Sequence, residues 1–366
     1  MIKRSTFVLI VFAVICGEAF TSRVMAQTGS QRMIQAALKA EEINSRFEGD
    51  INYWITQPES NGLLKLEEAF NNRFKLKIKL KQTPLTSAEV GNRFVLSAQA
   101  GRPVEADVTV ISPPALSVLR QNNLLEDFDW NGVLGKDFPE IQKRVSIVPP
   151  EYRNKALEIY HLVYIVAYRT DQLKKEELPK TWEEFTNPKW AGRFAVANVG
   201  YPFNYFLSLP GWNEQKLLNL VRRIRDNQAV FVKGSPGGAA ALQSGEVSLA
   251  INSVGNIEEL KAKGIPVDWI AVPGTILAQK TLVVPKGAPH ANMAHLFGAW
   301  LTTEGRGMYE NITKDGLAWP DENSLLANKL KQLGLGNNDF TLIDTAEKDA
   351  LAAKMIKQIQ GIYLGR

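Results

Sequence analysis

The residues best suited to hold a ligand lie between Phe231 and Asn256, in the stretch FVKGSPGGAAALQSGEVSLAINSVGN. Ser235, Gly237 and Gly238 bring a hydroxyl and unhindered backbone N–H groups to the point where an apolar strand ending at Val232 gives way to an Ala-rich helical segment. The free N–H groups at such a helix start suit a phosphate, a carboxylate or a carbonyl. A second strand, Val247 to Ile251, feeds another polar turn that contains Asn252 and Asn256. The same residues also suit an ordinary strand-to-helix turn, with glycine giving tight geometry and serine a cap. The segment lacks the Lys-Ser/Thr that ends a nucleotide P-loop, which argues against nucleotide binding.

Three further turns carry similar groups. Ser60 and Asn61 sit between a short strand and a helix. Ser112 precedes Pro113-Pro114 after the strand at 107–111, and Asn198, Tyr201 and Asn204 follow the strand RFAVA. Polar and aromatic groups at strand ends can orient a polar solute, and surface-loop or capping duty is the other reading of each. Catalytic chemistry is poorly represented. There is no Gly-x-Ser-x-Gly elbow and no carboxylate pair set for acid–base work. His161 lies in an apolar run and reads as a packed core residue, while His290 and His295 do not share a helix face. No enzymatic activity, cofactor or metal site is expected.

The elements that must position these residues alternate. A helical pattern over 30–48 is stopped by Gly49, followed by a strand at 50–56 and a helix from Leu63. KLKIKLK, residues 75–81, has a strand's period of two and reads as an edge strand with its lysines outward. Thr86 and Glu89 form a capping box for a helix reaching about Ala100. Residues 126–135 read as irregular surface, and IYHLVYIVAY, 159–168, as a long strand leaving one domain for another. Beyond it, Thr181 and Glu184 box a short helix. QKTLVVP, 279–285, is a second apolar crossing, and 289–311 and 323–333 are mainly helical. Strands alternating with helices predict an α/β fold, and two crossings near 165 and 280 suit a hinge.

Length allows two domains. Lys3 and Arg4 precede FVLIVFAVICG, and Val24-Met25-Ala26 supplies small residues for cleavage, so residues 1–26 read as a secretory signal peptide cut after Ala26. The apolar run falls short of the ~20 residues of a membrane span. Cleavage removes Cys16, the sole cysteine, and Ile15 before it does not fit a lipoprotein signal. It also takes Lys3, Arg4 and Arg23 with Glu18, lowering the formal charge from +5 to +3. Basic and acidic residues alternate along most of the chain, so no nucleic-acid partner is expected.

At this point the chain resembles a periplasmic substrate-binding protein of an ABC importer, of the family 1 extracellular solute-binding proteins, and more narrowly the ferric-ion-binding-protein-like group. The resemblance is carried by EADVTVISPPALSVLRQNNLLEDFD at 105–129, LVYIVAYRTD, TWEEFTNPKWAGRFAVAN at 181–198, GGAAALQSGEVSLAI at 237–251, and LVVPKGAPH with LFGAWLTTEGR at 282–306. It implies a two-lobed periplasmic binding protein type 2 clamshell with two crossover strands and a central ligand cleft. The lobes would be 27–164 and 280–366 for the first and 165–279 for the second. It implies capture of a small polar, anionic solute in the periplasm by a monomer, and delivery to the membrane permease subunits. The ligand loops of such proteins fall on Ser60, Asn61, Ser112, Asn198, Tyr201, Asn204, Ser235, Gly237, Gly238, Asn252 and Asn256. Ferric binders of the group use neighbouring tyrosines late in the chain. Here Tyr309 stands alone, which weighs against iron; a ferric-ion carrier and a receptor-directed sensor are the alternatives.

Overall fold

The structure is a computed structural model that describes residues 27–55, 60–314, 324–332, 334, 340–342 and 346–365; the segment read as a signal peptide lies outside them. Among the described residues the strands are β1 (Glu48–Trp54), β2 (Lys77–Thr83), β3 (Val108–Ile111), β4 (Ala156–Arg169), β5 (Phe194–Ala197), β6 (Val230–Val232), β7 (Leu249–Ser253), β8 (Val267–Ile270), β9 (Thr275–Val283) and β10 (Phe340–Leu342). They pair in the order β2-β1-β3-β9-β4-β7-β5-β6, with β10 beside β9 and β8 beside β4. β1, β2 and β3 run parallel, as do β5, β6 and β7, because each is joined to the next through a helix.

β4 connects the two halves. Its residues from Ala156 to Val163 pair antiparallel with β9, and from Tyr164 onward its partner is β7. A side chain on each face of each half is buried in an apolar cluster: Tyr53, Phe70, Phe297 and Trp300 anchor one face of the first half, and Trp54, Phe94, Leu116 and Tyr152 the other. In the second half Trp182, Phe185, Phe194 and Phe206 lie on one side, and Leu242, Val254 and Trp269 on the other.

Local chemistry accounts for most boundaries. The lysine strand is the sheet edge, with Lys77, Lys79 and Lys81 exposed and Ile78 and Leu80 buried. The capping box is present: Thr86 N–H donates to Glu89 Oε2 (2.8 Å) and Glu89 N–H to Thr86 Oγ1 (3.3 Å). Four expectations are corrected. The first helix ends at Lys39, and the following turn, with Glu41 and Phe47 at positive φ, sends Glu42 to a distant helix. Residues 130–134 form a short helix with Trp130 and Leu134 buried, capped by Asp129 onto Gly132 N–H. The predicted Thr181 box is replaced by a single 3-10 turn, with Glu184 accepting from Lys180 N–H (2.9 Å). The second crossing, β9, starts at Thr275 rather than 279.

The helix Ala346–Tyr363 was expected with the first lobe. It buries Ala352, Met355, Ile359 and Ile362 in the second-half cluster, against the 3-10 helix Phe203–Ser208, and also packs on the first-half helix Pro113–Gln121. Among the described residues no helix is long and apolar enough to cross a membrane.

Candidate functional site

The helix Gly234–Ser244 starts directly after β6, as the Gly/Ser/Pro turn requires, with Gly234 at φ +67°. Asn252, at the end of β7, is fully buried and holds this turn to the next one. Its Nδ2 donates to Ser235 O (3.0 Å), and its Oδ1 accepts from Ser253 N–H (2.8 Å) and Asn256 Nδ2 (3.1 Å). A Cβ on Gly238 would lie 3.0 Å from Asn252 Nδ2, and one on Gly237 3.1 Å from Val232 Cβ, so both glycines allow close packing. Asn252, Asn256 and Gly238 thus form a brace, and Ser235 and Gly237 remain partly open at the helix start.

Ser112 does not cap the helix Pro113–Gln121. Its hydroxyl meets that of Ser87 (3.0 Å), and both accept from the Lys280 ammonium, at 2.6 Å for Ser112 and 3.1 Å for Ser87. Lys280 is 9% exposed and comes from β9. Ser87 opens the helix Ser87–Gln99, so an ammonium, two hydroxyls and the positive ends of two helices converge where β3 ends. Such a grouping favours a carboxylate or phosphate. The sequence signal for Lys280 was a single cation inside an apolar crossing; Ser87 was hidden in the first turn of a capped helix.

Tyr160 pairs with Lys280 across the β4–β9 ladder, which puts both side chains on one face, and Tyr164 lies on that face two alternations further on. The rise of a strand sets Tyr164 ~13 Å beyond the Lys280 row. Tyr164 stacks on Tyr201 (centroids 5.9 Å apart), and Tyr201 on Tyr205 (6.0 Å). Burial pushes the Tyr201 phenol up to about 12 and holds Tyr164 well above its ordinary range. Asn204, on the 3-10 helix that follows, is buried, and among the described residues neither amide atom has a hydrogen-bond partner. The structure therefore brings Tyr201, together with Tyr205, against Tyr164 of the crossover strand, and Asn204 lies in the turn between them. Asn198 is exposed, its backbone N–H bonded to Val232 O (2.9 Å), and Asn61 is exposed on the helix Ser60–Phe74. The Ser60 side chain and residues 56–59 lie outside the described residues.

The two halves face each other across this line. Glu89, at the start of Ser87–Gln99, has its carboxyl held below the ordinary range by the Thr86 hydrogen bonds and, further, by the charges of Lys233 and Arg93. Lys233 immediately precedes Gly234–Ser244 in the other half.

Behind the cleft, one buried ionic group was not visible in the sequence. Arg144 Nη1 lies 2.9 Å from Glu158 Oε2, and His161 Nε2 lies 3.3 Å from Glu158 Oε1, with a β-bulge between Glu158 and Tyr160. Burial pushes Glu158 up to about 7 and His161 down to about 3. His295 stacks on Phe128 (3.9 Å), and His290 Nδ1 bonds Asp107 Oδ2 (2.9 Å). Tyr309 is buried against Tyr160, their ring centroids 5.7 Å apart. Among the described residues no three His, Cys, Asp or Glu side chains group as a metal site.

Residues 65–332 match the bacterial extracellular solute-binding protein family, and the chain belongs to it. Solved structures share its fold. A substrate-binding protein of an ABC transporter from Agrobacterium tumefaciens superimposes with a TM-score of 0.69 at 13% identity, covering 86% of this chain and 95% of its own. Iron-bound HitA from Pseudomonas aeruginosa gives 0.64 at 15%, covering 86% and 99%. The binding protein AgtB of A. tumefaciens R10, in complex with agropinic acid, gives 0.64 at 17%, covering 86% and 98%. These are two-lobed periplasmic binding proteins, and the mixed sheet spanned by β4 and β9 is this chain's version of that fold.

Proposed function

We propose that this chain is the solute-binding component of an ABC importer, capturing a small organic anion in the periplasm as a monomer and handing it to the permease subunits. Lobe one would be 27–164 with the return segment from 280, and lobe two 165–279 with the helix Ala346–Tyr363 docked on it. The observation that carries the anionic reading is the Lys280 ammonium held by Ser87 and Ser112 at two converging helix starts. Ser235 would supply its hydroxyl from the opposite lobe, with Gly237, whose N–H donates to Lys233 O, leaving the helix start open beside it, and Tyr201 an apolar wall.

Iron carriage has less support. A ferric site needs phenolates or carboxylates, whereas the group that gathers where the helix starts converge is the Lys280 ammonium, which would repel a cation there. The test is a thermal-shift titration of residues 27–366, refolded to strip bound solute, with carboxylates, organic phosphates, sugars and Fe³⁺ with citrate. A saturable rise with an organic anion, lost in Lys280→Met, is expected, since selective binding to the native state must stabilise it. A rise with Fe³⁺ or a neutral sugar alone would overturn the anionic reading.

A further inference from the structure

The helix Ala346–Tyr363 belongs to the second half of the molecule by its core and touches the first with its side. Ala352, Met355, Ile359 and Ile362 form its buried stripe, and Lys354 and Lys357 are exposed. Residues three and four apart share a helix face, so two half-buried flanks remain between stripe and solvent. On one, Leu351 and Gln358 lie beside Lys354, whose ammonium is 3.4 Å from Glu214 Oε2 at the start of the second-half helix Glu214–Asp226. On the other lie Ala353, Ile356 and Gln360. The first flank is committed to the second half, which leaves Ile356 and its neighbours for the first-half helix Pro113–Gln121.

The surface of Pro113–Gln121 fits that contact. Ala115, Leu116 and Leu119 point into the first-half cluster, whereas Pro114 and Ser117 point away from it and are buried all the same, Ser117 to 3% exposure. Among the described residues two helices pack closely on it: Ser87–Gln99, through Gly91 beside Ala115, and Ala346–Tyr363. Ser87–Gln99 is also where the charge of Lys233 arrives from the second half, at Glu89. Both contacts between the halves therefore fall on the pair of helices that begin at Ser87 and Ser112, beside Lys280, so a rotation that uncovers the Lys280 group parts them together. Resting on the solute-binding reading above, we propose that Ala346–Tyr363 is a strap: carried by lobe two, it holds the cleft closed through Ile356 on Pro114 and Ser117. Such a contact touches no solute, yet it raises the share of binding-competent protein and with it the apparent affinity.

The test needs no solute, so the strap can fail while the anionic reading stands, and the reverse. Residues 27–366, stripped by refolding, are compared with Ile356→Glu and Leu351→Glu by small-angle scattering and hydrogen exchange, with melting temperature showing that each folds. The two substitutions place one charge on opposite flanks of one helix. Ile356→Glu is expected to raise the radius of gyration of the unliganded protein and to strip protection from 113–121, and Leu351→Glu to leave both as in the unsubstituted protein. An unchanged or smaller radius in Ile356→Glu would overturn the strap. So would an equal rise in Leu351→Glu, which would mean that any loosening of the helix opens the molecule. Where Ile356→Glu does not fold, Ile356→Ala is read by the same criteria, with a smaller rise expected.

Discussion

Glu42 shows how far a single side chain can act. Its carboxylate accepts from Asn292 N–H (3.1 Å), Asn292 Nδ2 (2.6 Å) and Met293 N–H (2.9 Å), capping the helix Ala291–Thr302 from a turn some 250 residues earlier. Glu42→Ala should cost about 1–3 kcal/mol in urea unfolding, because three donors lose their acceptor at a buried helix start. The Glu158–His161 pair gives a pH signature. His161, held neutral to about 3, contributes stability that is present above its unfolded value near 6.5 and lost as pH falls. Glu158, raised to about 7, contributes in the opposite sense, losing stability as pH rises from about 4.5 to 7. The two slopes oppose between about 4.5 and 6.5, and net loss sets in below 4.5. Unfolding of His161→Gln at pH 5 and pH 7 should therefore reveal a decline with rising pH that the parent chain lacks. Neither Glu42 nor Glu158 could be singled out from sequence, since each partner is remote or on another element. His161 could, because a lone histidine in an apolar run has little choice but to be core.

At the scale of elements, alternation and caps were legible and packing partners were not. The lysine period of β2 and the Thr86–Glu89 box read correctly because each depends on neighbours within a few residues. The destination of the helix Ala346–Tyr363 depends on a face it shares with residues far away, so nothing local marked it. Its role can be measured. Ile359 is fully buried, and its Cγ2 would lie 3.2 Å from a Cβ added to Gly200, at the root of the Asn204 loop. Ile359→Ala should cost about 2–5 kcal/mol, and hydrogen exchange should show 200–208 losing protection together with 346–363. Loss confined to the helix would mean that the loop is held by other contacts.

For the whole molecule, the α/β class, the two crossings and the facing lobes were readable, because strand–helix alternation and two long apolar runs are properties of the entire pattern. The cleft chemistry was read in part. Turns at strand ends were located, but which hydroxyls would meet depended on the register that puts Lys280 beside Ser112. If ligand draws the lobes together, Glu89 and Lys233 close against one another. Lys233→Glu should then weaken solute binding several-fold at low salt and less at high salt, since both groups are near solvent and screened. Small-angle scattering should show a smaller ligand-induced fall in radius of gyration; an unchanged affinity at low salt would remove this pair from closure.

The placement of Ala352, Met355, Ile359 and Ile362 in the second-half core has a bearing on how the chain acquires its shape. The segment 164–278 can pair its strands and form its helices, but the cluster on one side of its sheet stays incomplete until residues some seventy positions later arrive. Contacts of that sequence separation form late and slowly. The first half waits on partners more distant still, because Phe297 and Trp300 complete the cluster of Tyr53 and Phe70, so the two halves should appear in refolding as separate phases, the slower one reporting the aromatic cluster around Phe70.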